Sequence, residues 1–268
     1  MPIFTIGYSS CPNDTYIFGG LATGRVQPDG FGLAIELHDV ETLNNMALKQ
    51  HLDISKLSFY AWLKVKSHYR LLQCGAALGY DCGPVLVARR NMTKNEIVKS
   101  RVVLPGPLTT AHLLFRLWAP YATDRIFVPY DQIFDMIETG KADCGVIIHE
   151  SRFTYEQAGF NMLVDLGEFW QQETKMPVPL GCIAAKKNLG DQIINNLEAA
   201  IQNSIQFARN SHKKILPYIK IHAKEMNEAV LQKHIDTFVN EFSWNLGTIG
   251  QSAIKTLEEK SRAAGILS

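Results

Sequence analysis

Short apolar runs alternate with helix-patterned segments along most of this chain, and that alternation limits the fold more than any other feature. FTIGYS is followed by TYIFGGLATG, GLAIELHDV by ETLNNMALKQ, and LDISKLS by FYAWLKVKSHY. Strand-length runs separated by helices read as βαβ units with parallel strands. After GPVLVARRN the pattern starts again with SRVVLPG, TTAHLLFRLWAPY, DRIFVPY, DQIFDMIETGK, ADCGVIIHE and SRFTYEQAG. Laid side by side, residues 32–63 and 124–157 carry the same order of elements with few identities, a likeness of pattern rather than a demonstrated repeat. From about Asn188 onward the pattern turns helical, through LEAAIQNSIQFARN, HKKILPYIKIHAKEM, NEAVLQKHIDTFVNEF and a last helix near Gly247 to Ala264.

The expected architecture is α/β with two lobes. Residues 1–88 open lobe one, 89–182 form lobe two, and 183–268 return to lobe one with the C-terminal helices. The chain crosses near Ala88 to Asn91 and again through VPLGCIAAKK, Val178 to Lys187. Two α/β lobes joined by two crossings have the shape of a type II periplasmic-binding-protein fold, whose ligand cleft lies between the lobes. With 268 residues, 46% of them hydrophobic, the chain can bury a sizeable core. A net charge of +1, from 27 basic and 26 acidic residues, gives no polyanion-binding surface, so nucleic acid is not an expected partner. No run reaches the ~20 apolar residues of a membrane span, and MPIFTIGYSSCPNDT is not a secretory leader. Five cysteines, Cys11, Cys74, Cys82, Cys144 and Cys182, are an odd number without CxxC or metal-ligand spacing. They read as free thiols in a reducing compartment, and the expected location is cytoplasmic.

Ligands of open α/β sheets sit beyond the carboxyl ends of strands, where helix N-termini converge. Four segments have that position. SSCPNDT follows the first strand, Ser55 to Ser58 follows LDI, Pro105 to Thr110 follows RVVL, and His149 to Arg152 follows CGVII. Small polar residues at a helix start leave N–H groups for an anion, favoured by the helix dipole. The same residues are also the common N-cap residues, so SSCPNDT and the Thr109-Thr110 pair each read as caps or as anion sites. Lys56 is either a solvated charge or a ligand contact at a strand end. His149 is either a hydrogen-bonded core histidine or a base, and it holds the strand end in lobe two that Lys56 holds in lobe one. No sequence signal gives Cys11 an activating partner, and it reads as packing.

SSCPNDTYIF, HDVETLNNMAL, ISKLSFYA, LPGPLTTAHLL, VIIHESRFTYEQAG and VPLGCIAAKKNLG, in that order, resemble the 1,4-dihydroxy-6-naphthoate synthase family of the futalosine route to menaquinone. The resemblance implies a lyase of binding-protein-like fold that converts cyclic dehypoxanthine futalosine to 1,4-dihydroxy-6-naphthoate. It implies a small-molecule carboxylate substrate and no metal or organic cofactor. By motif, His149 is the proton acceptor, and Lys56, Leu57, Ser58, Thr109 and Thr110 contact substrate. Asn13 and Asp14 would hold the sugar hydroxyls. Ser10 stands where the family more often has proline, which loosens the turn. A non-enzymatic solute-binding protein and chorismate dehydratase, from the same pathway, are the alternative readings. Neither sequence nor resemblance gives the oligomeric state.

Overall fold

The apolar runs pair into two sheets in a computed structural model, which describes residues 1–224 and 227–267. Lobe one begins with β1 (Ile3–Tyr8), β2 (Gly32–Leu37), β3 (Ile54–Ser58), β4 (Tyr69–Leu71) and β5 (Ala77–Gly79). Lobe two follows with β6 (Val85–Ala88), β7 (Val102–Leu104), β8 (Arg125–Phe127), β9 (Cys144–Ile147) and β10 (Asn161–Asp165), and β11 (Val178–Lys186) returns to the first sheet. The first sheet has the order β2-β1-β3-β11-β4, with β5 also on β11, and the second β10-β6-β9-β7-β8.

The likeness between the two halves extends to topology. β1 runs parallel to β2 and β3, and β7 runs parallel to β8 and β9. The strand arriving from the opposite lobe closes each triplet antiparallel, β11 on β3 and β6 on β9. The direction follows from geometry: the triplets run toward the cleft, whereas a crossing strand starts at the cleft and must run away from it.

Both crossings fall a few residues ahead of the boundaries read from the sequence. β6 is bonded to β9 from Val85, so residues 85–88 belong to lobe two. β11 is bonded to β5 from Val178, so residues 178–182 belong to lobe one. An apolar run carries no mark of the sheet it will join, and all of β6 is buried in its place. At the first crossing a Cβ on Gly83 would stand 2.2 Å from Gly167 Cα, so glycine lets the chain pass the start of the helix Leu166–Thr174.

The helix Asp191–Asn210 presents Ile194, Leu197, Ile201 and Ile205 at helical spacing and buries them with Ile6, Tyr8 and Phe18 of lobe one. A second apolar cluster is continuous between the lobes, from Leu57 and Tyr60 to Leu86, Leu104 and Trp170. Each such side chain contributes about 1.5–3 kcal/mol on burial, so the shared core fixes one lobe against the other. The helix Gly247–Ala263 touches both, packing on β11 and on the helix Thr110–Trp118. No described helix is long and apolar enough to cross a membrane.

Candidate active site

The carboxyl ends of β1, β3, β7 and β9 meet at one cleft enclosing about 700 Å3, solvent at its mouth included. All eight residues singled out from the sequence line it: Asn13 and Asp14 after β1, Lys56, Leu57 and Ser58 on β3, Thr109 and Thr110 after β7, and His149 after β9. The starts of the two crossing strands complete the wall with Gly83, Pro84, Leu180 and Gly181.

SSCPNDT does not cap its helix. Cys11 holds the N-cap position of the helix Pro12–Ala22 with no side-chain cap bond. The polar side chains instead build a buried charge cluster. Asp14 Oδ2 accepts from Ser9 Oγ at 2.7 Å, while Oδ1 accepts from Asn13 Nδ2 at 2.9 Å and lies 2.8 Å from Lys56 Nζ. Lys56 Nζ also donates to the Gly75 carbonyl at 3.0 Å. Asn13 Oδ1 faces His234 Nε2 at 2.9 Å. Asn13 and Asp14, which also line the cleft, thus use hydrogen-bonding groups inside the protein to fix Lys56 and His234. A buried pair of this kind keeps its charges because each is hydrogen-bonded on several sides.

The Thr109-Thr110 pair resolves differently. Thr109 Oγ1 accepts from His112 N at 3.2 Å and donates to the Gly106 carbonyl at 2.8 Å, so its hydroxyl is a cap. Thr110 Oγ1 donates to the Leu180 carbonyl at 2.8 Å and accepts from Tyr60 N at 3.3 Å, tying lobe two to lobe one. What these residues offer the cleft is backbone: the first-turn N–H groups of Thr110 and Ala111 have no carbonyl a turn earlier to bond. Beside them Glu41 reaches across from lobe one and accepts from Leu108 N at 3.1 Å. Gly106, at φ +153, admits it, since a Cβ there would meet the Glu41 carboxylate at 2.4 Å. Burial pushes the Glu41 carboxyl up to about 7.

His149 adopts the left-handed conformation, φ +57, which non-glycine residues hold at a cost of about 1–3 kcal/mol and which recurs at functional sites. The turn swings its imidazole against lobe one. Cys11 Sγ lies 3.4 Å from Nδ1, and the Tyr130 ring stands edge-on at 4.8 Å. Loss of water around the half-buried ring holds His149 below the ordinary imidazole range, so the ring is neutral and able to take a proton at pH 7. Burial also raises Cys11 well above the usual thiol value. Its sulfur packs on the imidazole edge, 3.4 Å from Nδ1 and 3.7 Å from Nε2, a contact across 138 positions.

Other residues of the site were missed. Asn44 clamps Ser58, accepting from its N–H at 2.9 Å and donating to its Oγ at 3.1 Å, which leaves the serine's own O–H for the cleft. Arg152 staples the first crossing, pairing with Asp165 at 2.6 Å and donating to the Gly83 carbonyl at 2.6 Å. His234 and Phe238 come from the helix Glu228–Phe238, one turn apart on its buried face. Asn44 lies within HDVETLNNMAL and Arg152 within the His149 motif, whereas His234 and Phe238 lie in none of the matching motifs.

The arrangement is a neutral base facing a fixed ammonium and a helix N-terminus across a half-enclosed cleft. The family described as "Menaquinone biosynthesis" matches residues 4–263. The 1,4-dihydroxy-6-naphthoate synthase of Thermus thermophilus is 40% identical over 270 residues, covering 99% of this chain and 96% of its own. Among solved structures, a protein from Archaeoglobus fulgidus superposes with a TM-score of 0.93 at 26% identity, over 98% of both chains. The alkanesulfonate-binding protein SsuA of Xanthomonas axonopodis pv. citri, bound to MOPS, superposes with a TM-score of 0.72 at 9% identity, over 100% of this chain and 95% of its own. That last likeness is one of fold alone and gives the two lobes their architecture, the binding-protein fold read from the sequence. With its match running nearly end to end, the chain belongs to the menaquinone-biosynthesis family, as a relative of enzymes that are 1,4-dihydroxy-6-naphthoate synthases.

Proposed function

We propose that the cleft converts cyclic dehypoxanthine futalosine to 1,4-dihydroxy-6-naphthoate, with His149 as the base. The observation that carries this reading is a half-buried, neutral imidazole held in a strained turn at the cleft wall. His149 takes a proton from a hydroxyl of the substrate's sugar-derived part, the carbon–carbon bond to the bicycle breaks as that hydroxyl becomes the carbonyl of the released fragment, and the electron pair comes to rest on a ring oxygen as the bicycle becomes aromatic. Lys56 and the N–H groups of Thr110 and Ala111 are placed to stabilise that oxygen or the substrate carboxylate. Asp14, Asn13 and Asn44 hold Lys56 and Ser58 in position, so little reorganisation accompanies the reaction. The substrate is a small carboxylate contacted from both lobes. The five cysteines are buried free thiols, which fits a reducing compartment, and the cytoplasm is the proposed location.

The test is product identification by mass after incubating purified protein with cyclic dehypoxanthine futalosine and, separately, with chorismate. Formation of 1,4-dihydroxy-6-naphthoate from the first substrate supports the reading. Consumption of chorismate alone assigns the protein to dehydration instead, and consumption of neither leaves a binding protein.

A further inference from the structure

Glu150 and His234 do not line the cleft, yet they stand directly behind its base. The His234 ring lies nearly parallel to that of His149, at 14° with centroids 6.1 Å apart, and Glu150 is the next residue along the chain. Glu150 Oε2 and His234 Nδ1 are 3.9 Å apart. Both atoms are buried, and neither has a hydrogen-bond partner among the described residues.

The proton count at this pair can be worked inward from Lys56. The Asp14 carboxylate only accepts, and it takes bonds from Ser9 and Asn13 beside the Lys56 ammonium. Asn13 therefore turns its NH2 to Asp14 and its Oδ1 to His234. That oxygen in turn only accepts, so His234 Nε2 carries a hydrogen. His234 Nδ1 is then either a bare lone pair or a second N–H. A bare lone pair facing a bare carboxylate oxygen, both out of water, is repulsive and leaves two acceptors unsatisfied. One proton on either atom removes that repulsion.

We propose that Glu150 and His234 hold a single proton between Oε2 and Nδ1, and that this neutral pair is a positioning unit that screens His149 from the Glu150 charge. Burial, with His149 close by, pushes His234 well below the ordinary imidazole range. The other charged or titratable groups about His149 are Cys11 and Asp14 at the first helix, Lys56 on β3, Tyr130 before the helix Ile133–Glu138, and Lys224, which is itself paired with Asp131. None of them lies where it would replace the proton, because Nδ1 and Oε2 have no other partner among the described residues. A base screened in this way stays weakly basic and free to receive a substrate proton. The proposal rests on His149 being the base, but its test does not need turnover.

The experiment is NMR titration of the His149 ring in wild type, Glu150→Gln, His234→Gln and the double variant. With the proton shared, Glu150→Gln replaces one neutral pair by another and leaves the His149 midpoint in place. His234→Gln strands a bare carboxylate beside His149 and raises its midpoint by about 1 unit or more, and the double variant returns it. An unshared pair inverts the pattern: Glu150→Gln then lowers the midpoint, His234→Gln leaves it alone, and the proposal fails. The wild-type protein gives a second reading independent of the variants. A solvent-protected, downfield proton at the pair is expected, on His234 Nδ1 or on the Glu150 carboxyl, and a bare Nδ1 beside an ionised Glu150 carboxylate overturns the proposal.

Discussion

Replacing Lys56 by methionine removes one charge from the most enclosed ion pair of the cleft while keeping an unbranched apolar chain. The Lys56 and Asp14 side chains are 5% and 3% exposed, with Nζ 2.8 Å from Oδ1. Breaking such a pair strands the remaining charge and costs about 3–5 kcal/mol, whereas breaking an exposed pair costs about 0–1 kcal/mol. Asp14 keeps its bonds from Ser9 and Asn13, which pulls the cost toward the lower figure, and the Gly75 carbonyl loses its donor, which pulls it back. For a protein of this size about 1 kcal/mol corresponds to roughly 2–4 °C, so Lys56→Met should melt roughly 6–20 °C lower. Urea unfolding followed by circular dichroism measures the loss directly. Arg70→Ala is the control, since Arg70 and Asp191 are 41% and 88% exposed and their pair should contribute under about 1 kcal/mol. Adding Asp14→Asn to Lys56→Met should recover part of the loss by removing the stranded charge. A Lys56→Met protein as stable as the Arg70→Ala control would refute the claim that this pair anchors the cleft.

Three further outcomes follow from the geometry. Glu41 binds its proton more tightly in the folded protein, with a value raised from 4.5 to about 7, so its contribution is full below pH 4.5 and is lost as pH rises to about 7. Glu41→Gln keeps an acceptor for Leu108 N without that loss, and should gain on wild type between pH 5 and pH 8 in urea unfolding; parallel curves would remove Glu41 as the cause. Thr109→Val should cost about 1 kcal/mol of stability through the lost cap and leave the affinity for 1,4-dihydroxy-6-naphthoate unchanged, because the hydroxyl is already bonded at both ends. With His149 held below the ordinary imidazole value of 6.5, kcat/KM should stay level as pH falls through 6.5 and decline only below it, where the base becomes protonated. An acid limb centred above 6.5 would contradict the half-buried, neutral ring.

The sequence carries the strand triplets and the strand-end segments plainly, because both are local. A strand's apolar run and the polar turn after it are adjacent in the chain, and parallel topology forces those turns to one edge. That brought Lys56, Thr109 and His149 to one cleft. The sheet membership of VLVA and VPLGC was not legible, since burial on both faces looks the same in either lobe. Nor were the partners that decide what each residue does. Asp14 looked like a cap residue because its residue type is common at caps, and only the fold sets Lys56 within reach. His234 meets Asn13 across 221 positions from an amphipathic helix whose pattern explains it equally well as core. Glu41 and Asn44 sit on a helix face whose charge and amide read as solvated until Leu108 and Ser58 are brought against it.

The central claim is that His149 is the base, and the most direct measurement is the single-turnover rate of His149→Asn with cyclic dehypoxanthine futalosine. Asparagine keeps a polar side chain and tolerates the left-handed turn, so the cleft should remain formed and 1,4-dihydroxy-6-naphthoate should still bind. The rate of product formation should fall by at least the ~10² that a general base commonly supplies. A His149→Asn protein that forms product at close to the wild-type rate would contradict the account.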